Sequence, residues 1–178
     1  MNGRDHTRRW VLRTGGTLIA GGMTIGVGSA DEHLIRERAE LTDEAHGLDT
    51  GASGHATFLV NVEEGIVDYE VHIDRICDPT QAHVHLGGPD EDGPVVGWLY
   101  PEDGQEPRHI EGFFSGTLAE GTTTPDDFVG PLEGLSFEEA VEVLEEEGAY
   151  VNVHTVEHPA GEIRGQIEPV DPNEVEET

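Results

Sequence analysis

Three histidines and one arginine are the residues of this chain whose types and spacing could do chemistry. His83 and His85 stand one residue apart in QAHVHLGG, His154 lies in AYVNVHTVE, and Arg164 lies in GEIRGQIE. Neutral imidazole suits copper and zinc and binds them through one ring nitrogen at about 2 Å. Three such ligands leave a further position for water or substrate, the pattern of a reactive rather than a structural site. Copper is the first expectation and zinc the second. The same residues also fit a plainer description, because histidines on the solvated face of a sheet need no ligand, and spacing alone does not choose. The remaining histidines are poorer candidates. His72 sits among acids; His55, His109 and His158 lack a partner at ligand spacing; His33 and His46 lie in a polar N-terminal stretch.

The elements that must position these side chains are strands. Residues i and i+2 of a strand share a face, about 6.5–7 Å apart. In AHVHLG, His83 and His85 therefore point together, with Ala82, Val84 and Leu86 on the core side. Val151 and Val153 place Asn152 and His154 on the side away from the core. Ile163 and Ile167 do the same for Glu162, Arg164 and Gln166. If the three strands are neighbours, three imidazoles meet on one outer face with Arg164 close by. The period of two runs through the rest of the chain. HATFLVNV and IVDYEVHID are joined by Glu63-Glu64-Gly65 and read as a hairpin, with PVVGWLY and HIEGFFSGTL as further strands between Gly/Pro/Asp turns. One helix is expected at about 136–147: Ser136 and Glu139 form a capping box, Phe137, Ala140, Val141 and Leu144 an apolar stripe, and Gly148 a stop. TTPDDF suggests a short helical turn at 125–129. Together these predict an all-β, antiparallel Greek-key β-sandwich or flattened barrel of about seven to eight strands with one short helix.

Around that body the chain divides by composition. Residues 1–30 contain Arg8-Arg9, a short Gly-rich apolar run and Gly28-Ser29-Ala30, which resembles a twin-arginine export signal and is too short and glycine-rich for a good membrane span. Residues 31–52 read as a polar linker or capping segment, 53–170 as the β domain, and 171–178 as an acidic tail. The formal charge is −29, and all nine basic residues are arginine. An acidic surface without lysine is expected of a protein that stays hydrated in concentrated salt, and it argues against nucleic-acid partners. Cys77 is the single cysteine, so no internal disulfide or thiolate cluster can form.

AHVHLGGPDEDGPVVGWLY, GFFSGTL and above all GAYVNVHTVEHPAGEIRGQI resemble the CHRD domain, the repeat named after chordin and found singly in many microbial secreted proteins. The resemblance spans roughly residues 53–168 and implies a β-sandwich. For single-domain microbial members it implies no settled activity. The growth-factor binding of chordin-like proteins is tied to cysteine-rich modules that this sequence does not contain. A second resemblance, to Cu/Zn superoxide dismutase, implies copper ligands at His83, His85 and His154 and an anion-attracting role for Arg164. The His- and Asp-rich zinc loop of that family is missing here, and its bridging histidine has no counterpart. The resulting expectation is an exported, non-enzymatic extracellular or cell-surface binding module whose partner is an unidentified protein or surface ligand. The alternative is a copper-dependent, superoxide-dismutase-like metalloprotein.

Overall fold

A computed structural model describes residues 34–89, 91–101 and 107–170. The expected signal at 1–30, His33 and the tail at 171–178 lie outside the described residues. Eight strands follow one another as β1 (Leu34–Thr42), β2 (Ser53–Asn61), β3 (Ile66–Cys77), β4 (Pro79–Leu86), β5 (Val95–Tyr100), β6 (Phe113–Thr123), β7 (Ala149–Thr155) and β8 (Ile163–Pro169). All pairings are antiparallel, and they form one sheet in the order β5-β4-β7-β8-β1-β2-β3-β6.

The sheet curls on itself into a nearly closed barrel. One continuous core draws residues from every strand, including Leu41, Phe58, Ile73, Ala82, Leu99, Leu118, Val151 and Ile163. A sandwich would have two separate sheets, whereas here all eight strands are hydrogen-bonded into one. Across the seam, Tyr69 Oη on β3 donates a hydrogen bond to the Leu99 carbonyl on β5 at 3.3 Å. The alternative of a flattened barrel is therefore the one adopted.

The segment read as a linker is corrected. Residues 34–42 form β1, which lies inside the sheet between β8 and β2. Its inward face carries Ala39 and Leu41, both fully buried. Its other positions are largely charged (Arg36, Glu37, Arg38 and Glu40), so the period-two signal is two residues long and was masked by charge.

The helix α1 (Phe137–Glu147) starts at the predicted capping box, with Ser136 accepting from the Glu139 amide and the Glu139 carboxylate accepting from the Ser136 amide. Its packing face is Phe137, Ala140, Val143 and Leu144, with Val143 rather than Val141 turned toward Leu86, Val96 and Leu132. This second cluster joins the helix to the ends of β4 and β5. The predicted turn is a 3-10 segment at Pro125–Asp127.

Gly165 shows how tightly β8 meets β1. A Cβ there would lie 2.0 Å from the Glu40 carbonyl oxygen and 2.6 Å from its carbon. Backbone cannot yield as a side-chain tip can. Gly165→Ala is expected to lower stability by about 2 kcal/mol or more through overpacking, read as a fall in the denaturant midpoint. An unchanged midpoint would mean that the two strands are not this close.

Candidate metal centre

The pairing of β4 with β5 and β7 brings the predicted histidines together. His83 stands opposite Trp98 on one side and Asn152 on the other, His85 opposite Tyr150, and Gln81 opposite His154. His83, His85 and His154 each offer a ring nitrogen, and these nitrogens lie within 4.8 Å of one another. Among the described residues they are the one group of three or more histidine, cysteine or acidic side chains so placed. Ring centroids are 4.8 Å apart for His83 and His154, 5.6 Å for His83 and His85, and 6.4 Å for His85 and His154. Two ligands of one ion lie at most about 4 Å apart when each bond is about 2 Å. Three ligands spaced evenly around one ion at that length stand about 3.5 Å apart, so closing the widest pair takes a side-chain movement of a little over about 1 Å.

The face that holds them is not the wet outer surface that alternation predicts. His83 is 6% and His154 9% exposed, and Asn152, Glu162 and Arg164 are buried with them. Period two tells which side of a strand faces the main core; it is silent on what covers the other side. Here three loops do so.

The first is the loop after β4. Arg164 lays its guanidinium over the Tyr150 ring, 3.4 Å from the centroid. It donates to the carbonyls of Gly88 and Glu91 at 2.8 and 2.7 Å and lies 3.4 Å from the Asp92 carboxylate. Gln166 Nε2 donates to the Gly87 carbonyl, and the Gly93 amide donates to Tyr150 Oη. No side chain fits at Gly93, because a Cβ would lie 1.6 Å from the Leu86 carbonyl oxygen. That close approach sets the Gly93 carbonyl over His85, which donates from Nδ1 at 2.9 Å.

The second loop joins β7 to β8. Its Pro159 carbonyl accepts from His154 Nδ1 at 3.0 Å, and its Ala160 carbonyl accepts from Asn152 Nδ2. The third follows β1, where Asp43 accepts from the amides of Thr50 and Gly51 and so closes a loop around a 3-10 turn at Glu44–His46. His46 Nε2 reaches Asn152 Oδ1 at 3.0 Å. In the sequence His46 lies in a polar N-terminal stretch that gives it no claim on the site, and Trp98 and Tyr150 give no signal beyond lying on strands. Trp98 packs edge-on against His83 at 4.3 Å, and Tyr150 stacks on His85 at 4.9 Å.

The consequence for the imidazoles is specific. A neutral imidazole donates from one nitrogen and accepts at the other. The carbonyls of Gly93 and Pro159 hold the protons of His85 and His154 on Nδ1, leaving each Nε2 as a bare acceptor. Outer partners of this kind orient metal-binding histidines. Both Nε2 atoms, and both ring nitrogens of His83, are buried without a hydrogen-bond partner; Gln166 Oε1 shares that condition. Each such buried group costs about 1–3 kcal/mol. Zinc or copper, which binds unprotonated imidazole nitrogen, is the chemical partner this donor set fits.

Arg164 stands beside the site, as predicted, but its guanidinium is committed to the loop. Glu162, two residues away on the same face, is not among its partners. Elsewhere, His109 pairs with Asp78 at 2.9 Å, and His55 stacks on His72 across β2 and β3 at 5.3 Å. In the acidic loop Glu91 accepts from the Gly88 amide, and Asp90 lies outside the described residues.

All three site histidines are held in the neutral form. Burial pushes His83 down to about 3, with His154 and His85 adding to the effect. Burial is also the main cause for His85 and His154, opposed in each case by the carbonyl that accepts the Nδ1 proton. Groups whose folded pKa is depressed stabilise the fold fully above the unfolded value of about 6.5 and lose that contribution as pH falls toward the folded value. The metal-free protein is therefore expected to melt progressively lower from pH 7 to pH 5, and His83→Gln to flatten that slope. Equal slopes for both would contradict the assignment.

The model of the CHRD domain family matches residues 38–167. Comparison with curated proteins and with solved structures gives no significant match. The matched span begins within β1 and ends within β8, so it takes in the site, all three covering loops and nearly all of the barrel. The chain belongs to the CHRD domain family.

Proposed function

We propose that this CHRD domain is an exported module that binds one transition-metal ion, copper or zinc, through His83, His85 and His154. The observation that carries the reading is three histidines that each offer a ring nitrogen within 4.8 Å of the others and that carry buried ring nitrogens without a hydrogen-bond partner. A buried polar group is retained at such a cost when something pairs with it. The two carbonyl-fixed tautomers support the same reading, since they present Nε2 of His85 and His154 as lone pairs.

Export through the twin-arginine route, and work at the cell surface or outside the cell in concentrated salt, belong to the same proposal. They rest on the Arg8-Arg9 leader and on the acidic, lysine-free composition. Among the described residues no helix is long and apolar enough to cross a membrane. The expected extracellular partner is here an ion in place of a protein or surface ligand.

Binding is favoured over dismutation of superoxide by two observations. Arg164, the residue that would draw the anion in, is nearly buried and engaged with two carbonyls and a tyrosine ring. The bare imidazole nitrogens have no contact with solvent, so an anion would have no direct path to an ion held there.

The test is metal analysis of the full chain folded in concentrated salt in separate preparations with Zn²⁺, with Cu²⁺ and, anaerobically, with Cu⁺, each then dialysed and scored for the metal best retained. Wild type is expected to retain one ion per chain, and His85→Ala and His154→Ala to retain little. The same substoichiometric content in all three would remove the reading.

A further inference from the structure

The sequence points to three ligands on an open face; the structure buries the ligand nitrogens. Neither Nε2 of His85 and His154 nor either nitrogen of His83 has contact with solvent, and Trp98 packs edge-on against His83. The cluster includes no carboxylate or thiolate. Arg164 and Asp92 act on His85 in opposite senses and lie 3.4 Å from each other. An ion held by these nitrogens alone therefore meets three neutral donors shielded from bulk solvent, with no carboxylate or thiolate in the cluster.

We infer that the ion this site is built for is cuprous copper, held by three imidazoles and no fourth ligand. The inference rests on the metal-binding reading above. Two physical arguments select the ion. The first is coordination number. Zinc takes four ligands in a tetrahedron, and cupric copper prefers a tetragonal set of at least four. Each would require a donor beyond the three histidines of this cluster. Cuprous copper has a filled d shell and no ligand-field preference, so three nitrogens in a plane satisfy it.

The second argument is charge. The cost of moving an ion from water into a poorly polarisable interior scales with the square of its charge, so a dication pays about four times what a monocation pays. In a site whose ligands carry no negative charge, nothing offsets that difference. The outer hydrogen bonds add rigidity: with His85 and His154 pinned through Nδ1, the pocket cannot open a fourth position by turning either ring over.

The experiment is an anaerobic titration of the full chain in concentrated salt. The coloured Cu(I) complex of bicinchoninate is the copper donor, and Zn²⁺ and Cu²⁺ are titrated in parallel. The chain is expected to withdraw one Cu(I) from the chelator and to hold it against equimolar Zn²⁺. His154→Ala should weaken that binding by more than about 100-fold, beyond what loss of an outer partner causes. His83→Gln, closer in volume, serves should the alanine variant fail to fold, with circular dichroism as the check. The copper absorption edge of the loaded protein should report three-coordinate Cu(I). Zn²⁺ or Cu²⁺ bound as tightly as Cu(I) would overturn this inference and leave metal binding standing. No stoichiometric binding of any of the three would overturn both.

Discussion

Strand β7 is buried along its whole length on both faces, and the rest of the site depends on that double burial. One face, Val151 and Val153, belongs to the barrel core. The other carries Tyr150, Asn152 and His154, side chains that a solvated sheet would leave to water. Taking them out of water obliges each polar atom to find a partner in protein. Tyr150 Oη accepts from the Gly93 amide, Asn152 bonds His46 and the Ala160 carbonyl, and Thr155 accepts from the His158 amide. The chief remainder is the ring nitrogens of the three histidines. A network otherwise so fully paired makes that remainder informative.

The covering loops are held by the residues they cover. Arg164, Gln166, Tyr150 and His85 together engage Gly87, Gly88, Glu91 and Gly93. The loop gives His85 its tautomer, and Arg164 gives the loop its place. This accounts for the arginine in GEIRGQI without any contact between it and a substrate. The outer side of the opposite half of the barrel is built differently. There Asp68, Glu70 and Asp74 on β3 accept from Thr122, Thr117 and Ser115 on β6, so an acidic surface is ordered by hydroxyl groups instead of by lysine.

Much of this was legible in the sequence. Alternation located β2 to β8, the Ser136–Glu139 box located the helix, and the His-x-His pair with the later Val-His strand named three side chains that do meet. What was hidden follows from physics that periodicity does not carry. Strand β1 reads as polar because its outer positions are charged and its inner face offers only a short apolar run. The covered state of the histidine face depends on contacts between residues such as Arg164 and Glu91, or His46 and Asn152, that are far apart in the chain. Burial of the imidazole nitrogens depends on the same contacts, so the sequence points to an open face where the fold makes a covered one.

The most direct test of the three-histidine site is anomalous diffraction at the copper edge from crystals of the copper-loaded protein. The account predicts a single strong peak bounded by Nε2 of His85, Nε2 of His154 and one ring nitrogen of His83, each at about 2 Å. A peak elsewhere, or none at the point where these nitrogens converge, would contradict it.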